Sequence, residues 1–404
     1  MFSIRVGGPS DSDELYQRTL ELLEYHGVPG DQTQMSPSTF LQLQKEDFLQ
    51  ILVLTCIDPS HEASPKLVGY ASFMSEFDML FGGHGLLLDH FFIQEAYRGK
   101  GQGRRLLKAV CEAAQFQQAK YLKLYFKDGL RLDKFYEHFG FSNLTKSPPY
   151  MHYFEIYGHK EIQRCLRIKM KKVVSNACRK SRIEKGADLG TGNLAWQFEL
   201  PSRLQEDEDS SAGPCYLLSF KLPHPIEKAS HSPPDGVLII LLRAPGGDSR
   251  ISTLQDVLDA VNLPIHSGPE VLWSRVAKSK LYLLNGVRCC AFVEKPAFCG
   301  WLGKMVTFCD FVGDLSILCE EVFVDRVKHW ALRWSELMGV NFEVPVPDPQ
   351  NHDHYAGQSY RPLLKILRNL RVSDSSQRDG WNAALLEEED LQAILMGPGD
   401  RSQQ

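Results

Sequence analysis

Hydrophobic and polar residues alternate from the first residues, Met1-Phe2-Ser3-Ile4-Arg5-Val6, as in a half-buried strand. Ser12 and Asp13 then open an amphipathic stretch with Leu15, Leu20, Leu23 and Tyr25 near helical spacing. Apolar runs at 51–57, 67–73 and 85–93 predict buried strands, and 103–116 predicts a helix. A further strand at 121–126 precedes a short helix at 132–138 that stops at Gly140. Strand, helix, strands, helix, strand, helix is the order of an α/β fold on a mixed sheet.

The pattern changes between 159 and 185, where a run of basic residues from Lys160 to Lys185 is opposed only by Glu161 and Glu184. Ile162, Leu166, Met170 and Val173 give this run one apolar stripe, so it predicts a helix. A solvated connecting helix, a nuclear-targeting signal and a docking element for an acidic partner are its three readings. The segments 206–214 and 230–236 are acidic, Ser-rich or Pro-rich and read as surface loops.

Regular structure then resumes. Strands are predicted at 215–221 and 237–243, and a helix at 254–261. Asn285-Gly286, flanked by 281–284 and 288–293, signals a hairpin. A strand at 305–312, a helix at 317–337 and a strand at 340–346 follow, repeating the strand–helix–strand order of 86–126. Beyond 372 the chain is polar apart from 385–396, which reads as a loosely packed terminal helix. The expected organisation is a first α/β domain over 1–158, a linker over 159–214, a second α/β domain over 215–372 and a polar tail over 373–404.

Composition adds exclusions. The 404 residues are 43% hydrophobic and 24% charged, a globular balance that excludes wholesale disorder. No apolar run approaches the length of a membrane-spanning helix, and the N-terminal residues lack the pattern of a secretory signal. A net charge of −5 gives no general attraction to nucleic acid. The ten cysteines include no Cys-x-x-Cys pair, and several lie in apolar runs, which fits reduced buried thiols and a cytoplasmic protein. His352-Asp353-His354 has the look of a metal pair but lacks a further ligand set, so no metal is expected.

One segment carries chemistry. The predicted strand 86–93 runs into Gln94–Tyr97 and then Arg98-Gly99-Lys100-Gly101-Gln102-Gly103-Arg104, where a helix begins. Glycines at such a turn let backbone N–H groups converge on an anion, and the helix N-terminus adds partial positive charge. The spacing fits neither the dinucleotide fingerprint nor the P-loop.

The Arg-x-x-Gly-x-Gly motif resembles that of the GNAT acetyltransferases, in particular their diamine (spermidine/spermine and thialysine) branch. Glu21-Leu22-Leu23-Glu24-Tyr25, Val68-Gly69-Tyr70-Ala71, the run 88–103 and Lys134-Phe135-Tyr136-Glu137-His138-Phe139-Gly140-Phe141 carry the resemblance, which covers 1–154. It implies a GNAT-like mixed sheet with flanking helices and acetyl-CoA as co-substrate. Arg98, Gly99, Lys100, Gly101, Gln102, Gly103 and Arg104 would hold the pyrophosphate, and Phe91, Phe92 and Ile93 would offer backbone groups to the pantetheine arm. Tyr136 matches the tyrosine that protonates the leaving sulfur. Asp89 matches the branch's acidic residue at the strand end and is the candidate base, with His90 as a second.

Asp78, Tyr25, His26 and His90 are the expected acceptor-side residues. Structural roles stand beside these: Asp89 pairing a cation, His90 satisfied within the sheet, Tyr136 packing with Phe135 and Phe139. Where the branch has acidic residues around the amine channel, this chain has His26, His90 and Lys127, which removes attraction for a multiply charged amine, and Gly129 replaces the family's asparagine, which implies weaker or differently supported CoA binding. The resemblance also implies a homodimer, unless the second half takes that interface.

Three functions follow as expectations. The first is an acetyl-CoA-dependent N-acetyltransferase of a small primary amine (polyamine, thialysine or amino acid). The second is a protein acetyltransferase whose second half recruits substrate, and the third is a non-catalytic CoA-binding protein. The acidic turn Gly313-Asp314-Leu315-Ser316 in the second half lacks the glycine motif, so that half reads either as a degenerate acetyltransferase-like domain or as an unrelated α/β domain.

Overall fold

In the computed structural model the chain forms two large sheets that exchange strands. The structure describes residues 1–28, 33, 35–46, 48–57, 65–130, 132–147, 150–157, 187–190, 193–198, 215–222, 236–244, 254–263, 265, 267–278, 287–299, 303–333, 337–346, 354–355 and 358–387. The basic run 159–185, the Asn285-Gly286 turn and His352-Asp353 lie outside them. Among the described residues no helix is long and apolar enough to cross a membrane, and no group of side chains suits a metal.

The first half runs β1 (Phe2–Val6), α1 (Ser12–Tyr25), α2 (Pro37–Lys45), β2 (Gln50–Cys56), β3 (Lys66–Asp78), β4 (Gly83–Ile93), α3 (Gln102–Phe116), β5 (Tyr121–Lys127), α4 (Leu132–His138), β6 (Ser142–Asn143) and β7 (Met151–Tyr157). Sequence patterning explains the helices. α1 buries Leu15, Thr19, Leu22 and Leu23 on one face. α2 starts at Pro37, with the Ser36 side chain accepting the Thr39 N–H at 3.2 Å. α3 packs Leu106, Leu107, Val110 and Ala114 on a core with Val68, Leu86, Leu88, Leu122 and Leu124.

The second half runs β8 (Ala187–Gly190), β9 (Asn193–Phe198), β10 (Cys215–Lys221), β11 (Val237–Arg243), α5 (Leu254–Val261), α6 (Pro269–Lys278), β12 (Arg288–Cys299), β13 (Gly303–Gly313), α7 (Glu320–Arg333) and β14 (Gly339–Pro345). After the short pair β15 (His354–Tyr355) and β16 (Gln358–Ser359) come α8 (Arg361–Asn369), β17 (Ser373–Asp374), α9 (Ser375–Asp379) and β18 (Trp381–Glu387). The α/β expectation holds in both halves. The predicted helix at 317–337 divides into a 3-10 turn at Leu315–Ile317 and α7, because Leu318 is extended.

Two boundaries need correction. The first sheet has the order β1-β2-β3-β4-β5-β18-β6, and the second β17-β7-β14-β13-β12-β11-β10-β9-β8. The last strand of the first half, β7, therefore lies in the second sheet, antiparallel to β14 from Met151↔Pro345 to Tyr157↔Gly339. In return β18, from the supposed polar tail, pairs with β5 from Trp381↔Lys127 to Glu387↔Tyr121. Residues 385–387 are thus strand rather than helix; 388–396 lie outside the described residues. Asn382, Ala383 and Leu386 are buried there, a tertiary role that the local composition of the tail hides. Each sheet holds one parallel pair at the corresponding place, β4–β5 and β13–β14.

The exchanged strands bring the halves together over buried charge. Lys123 on β5 reaches Glu343 on β14, Glu76 at 3.4 Å and Asp78 at 3.6 Å. Lys295 on β12 binds Glu76 at 2.6 Å, and the Tyr125 hydroxyl donates to Glu343 at 2.6 Å. Burial alone would raise the Glu343 carboxyl, but Lys123 and Lys295 outweigh it and hold it low. Asp310 is pushed up by burial and by Asp78, with which it shares a hydrogen bond, and it accepts the Met79 N–H at 2.8 Å.

Breaking this cluster at one end strands buried charge. Lys123→Met is expected to lower the unfolding free energy by about 3–5 kcal/mol, read as an earlier urea midpoint. Adding Glu343→Leu should recover part of that loss, since an apolar pair leaves less unpaired charge.

Candidate active site

The parallel pairing of β4 and β5 is short: Leu86↔Leu122, Leu87↔Lys123 and Leu88↔Leu124. On the other edge of β4 the register slips between Phe73↔Leu88 and Ser72↔His90, so Asp89 is the extra residue of a bulge. The strands splay from that point. Gln94 donates its N–H to the Val68 carbonyl at 2.8 Å, and His90 donates its N–H to Ser72 Oγ at 3.2 Å. Alternation along the strand then turns the Phe92 amide toward β3 and those of Phe91 and Ile93 toward the gap. Of the three residues expected to offer backbone groups, Phe92 instead buries its ring 6.1 Å from that of Tyr70.

Helix α4 straddles the gap. Phe135 packs on Phe91 of β4 (6.1 Å between centroids), and Tyr136 packs on Phe126 of β5 (5.8 Å). Burial raises the Tyr136 phenol, and neighbouring Tyr25 raises it further. The hydroxyl therefore stays protonated at neutral pH, as a proton donor must.

At the end of β4 the turn enters α3 through Gly99 (φ 70°) and Gly101 (φ 74°). Both lie in the left-handed region that glycine accepts without strain, and Gly101 is the N-cap of α3. The amides of Gln102, Gly103 and Arg104 begin the helix and have no partners within it. Arg104 is exposed. The other cations are turned to structural use: Arg98 Nε donates to the Ile93 carbonyl at 2.7 Å, with its guanidinium 4.8 Å from the Tyr25 ring centre. Lys100 Nζ donates to the Ala96 carbonyl at 2.9 Å. Gln102 is buried and links Lys100 to Arg105.

On the other side of the sheet, His90 Nδ1 lies 2.8 Å from the Tyr70 hydroxyl, which lies 2.8 Å from Thr19 Oγ1 on α1. His90 Nε2 is 3.8 Å from the Asp89 carboxylate. His26, at the end of α1, stacks on Trp381 with centroids 5.7 Å apart. Its carbonyl accepts from Lys127 Nζ at 3.0 Å. Tyr25 is exposed beside it. The site thus gathers Asp89, His90, Tyr25, His26, Tyr136 and the glycine turn. Sequence reasoning missed Thr19, Tyr70 and Trp381; Tyr70 stood within the Val68–Ala71 motif, whereas Trp381 carried no local signal.

Asp78 must be removed from the acceptor-side set. It pairs with Gly83 at the far end of the β3–β4 ladder, six residues and about 20 Å along β3 from Ser72. There it is buried among the charges between the halves. Gly129 sits at φ 85°, so glycine is explained there by backbone geometry.

Burial, with Lys127 nearby, lowers His26 to about 4; burial, with His26 nearby, lowers His90 to about 3. Both rings are neutral at pH 7. Below pH 6.5 the unfolded chain binds protons that these folded rings refuse, so their contribution to stability is full above pH 6.5 and is lost toward pH 4 and then 3. The melting temperature should fall across that window. His90→Gln should flatten the fall by about one proton's worth of slope, measured by calorimetry at stepped pH.

Residues 21–141 match the family described as Acetyltransferase (GNAT) family. Over 80 residues the chain is 36% identical to the spermine/spermidine N(1)-acetyltransferase of Bacillus subtilis strain 168, covering 19% of this chain and 52% of that protein. The chain thus spans about half the length of the curated relative it matches. Among solved structures, a GNAT-family acetyltransferase of Staphylococcus aureus Mu50 is 18% identical, covering 35% of this chain and 85% of that one (TM-score 0.29). A Trypanosoma brucei acetyltransferase is 23% identical, covering 35% and 93% (TM-score 0.28). Residues 21–141 of this chain match a domain of the GNAT acetyltransferase family.

Proposed function

We propose that the chain is an acetyl-CoA-dependent N-acetyltransferase that acetylates a primary amine of a small molecule by direct attack. The observation that carries this reading is the gap between β4 and β5. It opens at the Asp89 bulge, is straddled by α4 with Phe135 on one strand and Tyr136 on the other, and ends at a glycine turn on a helix N-terminus.

The residues present fit the co-substrate. The Phe91 and Ile93 amides face the gap, and the start of α3 offers N–H groups and partial positive charge to an anion. Bound acetyl-CoA supplies the activated thioester. Tyr136 holds its phenolic proton for the leaving sulfur. Asp89, the carboxylate at the bulge, takes the proton from the incoming ammonium, directly or through water. The low proton affinity of His90 makes its resting imidazole a weak base, so its bond to Tyr70 serves to fix the strand beside Asp89.

The Bacillus subtilis relative is named for spermine and spermidine. A polyamine gains from several carboxylates around its channel. Here Asp78 stands at the far end of the sheet, His26 and His90 are neutral, and Lys127 brings a positive charge. These features favour an acceptor of lower charge, such as an amino acid or thialysine.

Two substitutions test the reading. Tyr136→Phe should lower kcat by about 10²–10³-fold with acetyl-CoA affinity within threefold of wild type, as expected for loss of a general acid. Gly101→Glu, which puts a side chain and a negative charge at a left-handed position in the turn, should abolish acetyl-CoA binding in calorimetry. If both variants released CoA thiol from acetyl-CoA and amine at the wild-type rate, the assignment would be wrong.

A further inference from the structure

The second half keeps the frame of an acetyl-CoA site and closes it. Pairing of β13 with β14 ends at Phe308↔Phe342, as that of β4 with β5 ends at Leu88↔Leu124. The 3-10 turn Leu315–Ile317 follows Phe308 at the spacing with which Glu95–Tyr97 follows Leu88. Buried Leu318 and Cys319 then lead directly into α7, with Glu320 and Glu321 in its first turn and no glycine between 314 and 319. Acidic residues at a helix start repel an anion. Phe311 occupies the place of Phe91, and its carbonyl accepts the buried Tyr360 hydroxyl at 3.0 Å.

What this half gives to the first is β18. Its first residue, Trp381, pairs with Lys127, just past the point where β5 leaves β4. Gly380 (φ 71°) ends α9, and its carbonyl accepts the Asp128 N–H at 2.8 Å, which fixes the entry into the strand. The half-buried indole lies against the imidazole of His26, tilted 23° from it. His26 in turn is close enough to His90 to lower its proton affinity. Trp381, His26 and Tyr25 follow one another ring to ring, with 5.7 Å between centroids at each step, and the Arg98 guanidinium lies 4.8 Å from the Tyr25 ring centre, which joins this aromatic row to the glycine turn.

We infer that the acceptor side of the site is built across both halves, with Trp381 of the exchanged strand acting as a specificity-determining wall that seats the amine through His26. This assignment rests on the transfer reading above. It gives the second half a role that its closed gap does not supply: the half that binds no co-substrate shapes the place where the acceptor sits. An indole–imidazole wall orders a small molecule without touching the thioester, so its loss falls on acceptor binding.

The test uses the full chain with Trp381→Ala, Trp381→Leu and Trp381→Phe. Acetyl-CoA affinity is measured by calorimetry, and steady-state kinetics are run with spermidine, thialysine and each free proteinogenic amino acid. For the best acceptor, the Ala and Leu variants should raise KM about tenfold, the loss of one aromatic contact. Their kcat and acetyl-CoA affinity should stay within threefold, and the Phe variant should restore KM to within threefold. An unchanged KM in both Ala and Leu variants would overturn the assignment. So would a loss of acetyl-CoA affinity in step with KM in all three, which marks a structural residue. If the wild-type chain acetylates none of these amines, the transfer reading itself fails and takes this one with it; turnover with an unmoved KM overturns only the role of Trp381.

Discussion

The edge of β5 that faces away from β4 needs an antiparallel partner, and the strand that supplies it comes from the far end of the chain. Backbone N–H and C=O groups buried without partners are costly, so the first sheet is incomplete without β18. The second sheet has the same debt at β14, which β7 settles. Each half completes the other, and the two cannot be taken as beads on a string. The buried charges sit where this exchange brings the sheets together. Lys123 and Lys295 lie on strands of different halves and answer Glu76 and Glu343, again from different halves. Such pairs add little over apolar packing when intact and a large penalty when broken, which makes them a check on register more than a source of stability.

The same constraint shapes the site. A parallel strand pair that kept its ladder would leave no backbone groups for a ligand. The ladder ends after Leu88, at the Asp89 bulge, and leaves the amides of Phe91 and Ile93 turned toward the gap, where the proposed reading puts the co-substrate. The gap persists because α4 holds both lips, Phe135 on one strand and Tyr136 on the other. In the second half the corresponding edge is spent on Tyr360. The two halves thus differ at the corresponding place, with a glycine turn before α3 in the first and buried Leu318 and Cys319 before α7 in the second.

Electrostatics around Asp89 bears on the proposed acceptor. Its histidines are held neutral by burial, its nearest lysine is tied to the His26 carbonyl, and its arginine lies over Tyr25. Asp89 is the carboxylate at the bulge. Tyr25, His26 and Trp381 form an aromatic row, with 5.7 Å between successive ring centroids, which under the proposed reading would recognise the acceptor by contact rather than by charge.

Much of the first half was legible in the residues themselves. Apolar runs of strand length, the helical spacing of α1 and α3, and the glycine turn are local signals, because each depends on a few neighbouring residues and their backbone preferences. Asp89, the glycine turn and Tyr136 lie on β4, at the start of α3 and on α4, elements of one sheet and its helices that local patterns announce. What the sequence could not reveal depended on pairing between distant segments. Asp78 was expected at the site because it lies near the position of a carboxylate in the branch the chain resembles, yet β3 carries it to the opposite end of the ladder, where it pairs with Gly83. The stretch 381–387 looked like tail because its partners lie far away in the chain: β5 and β6 in the sheet, and Leu144, Met151 and His26 in packing. Local pattern fixes which residues form strands; only the closing of two sheets on each other decides which half a strand serves, because strand hydrogen bonds carry no memory of chain order.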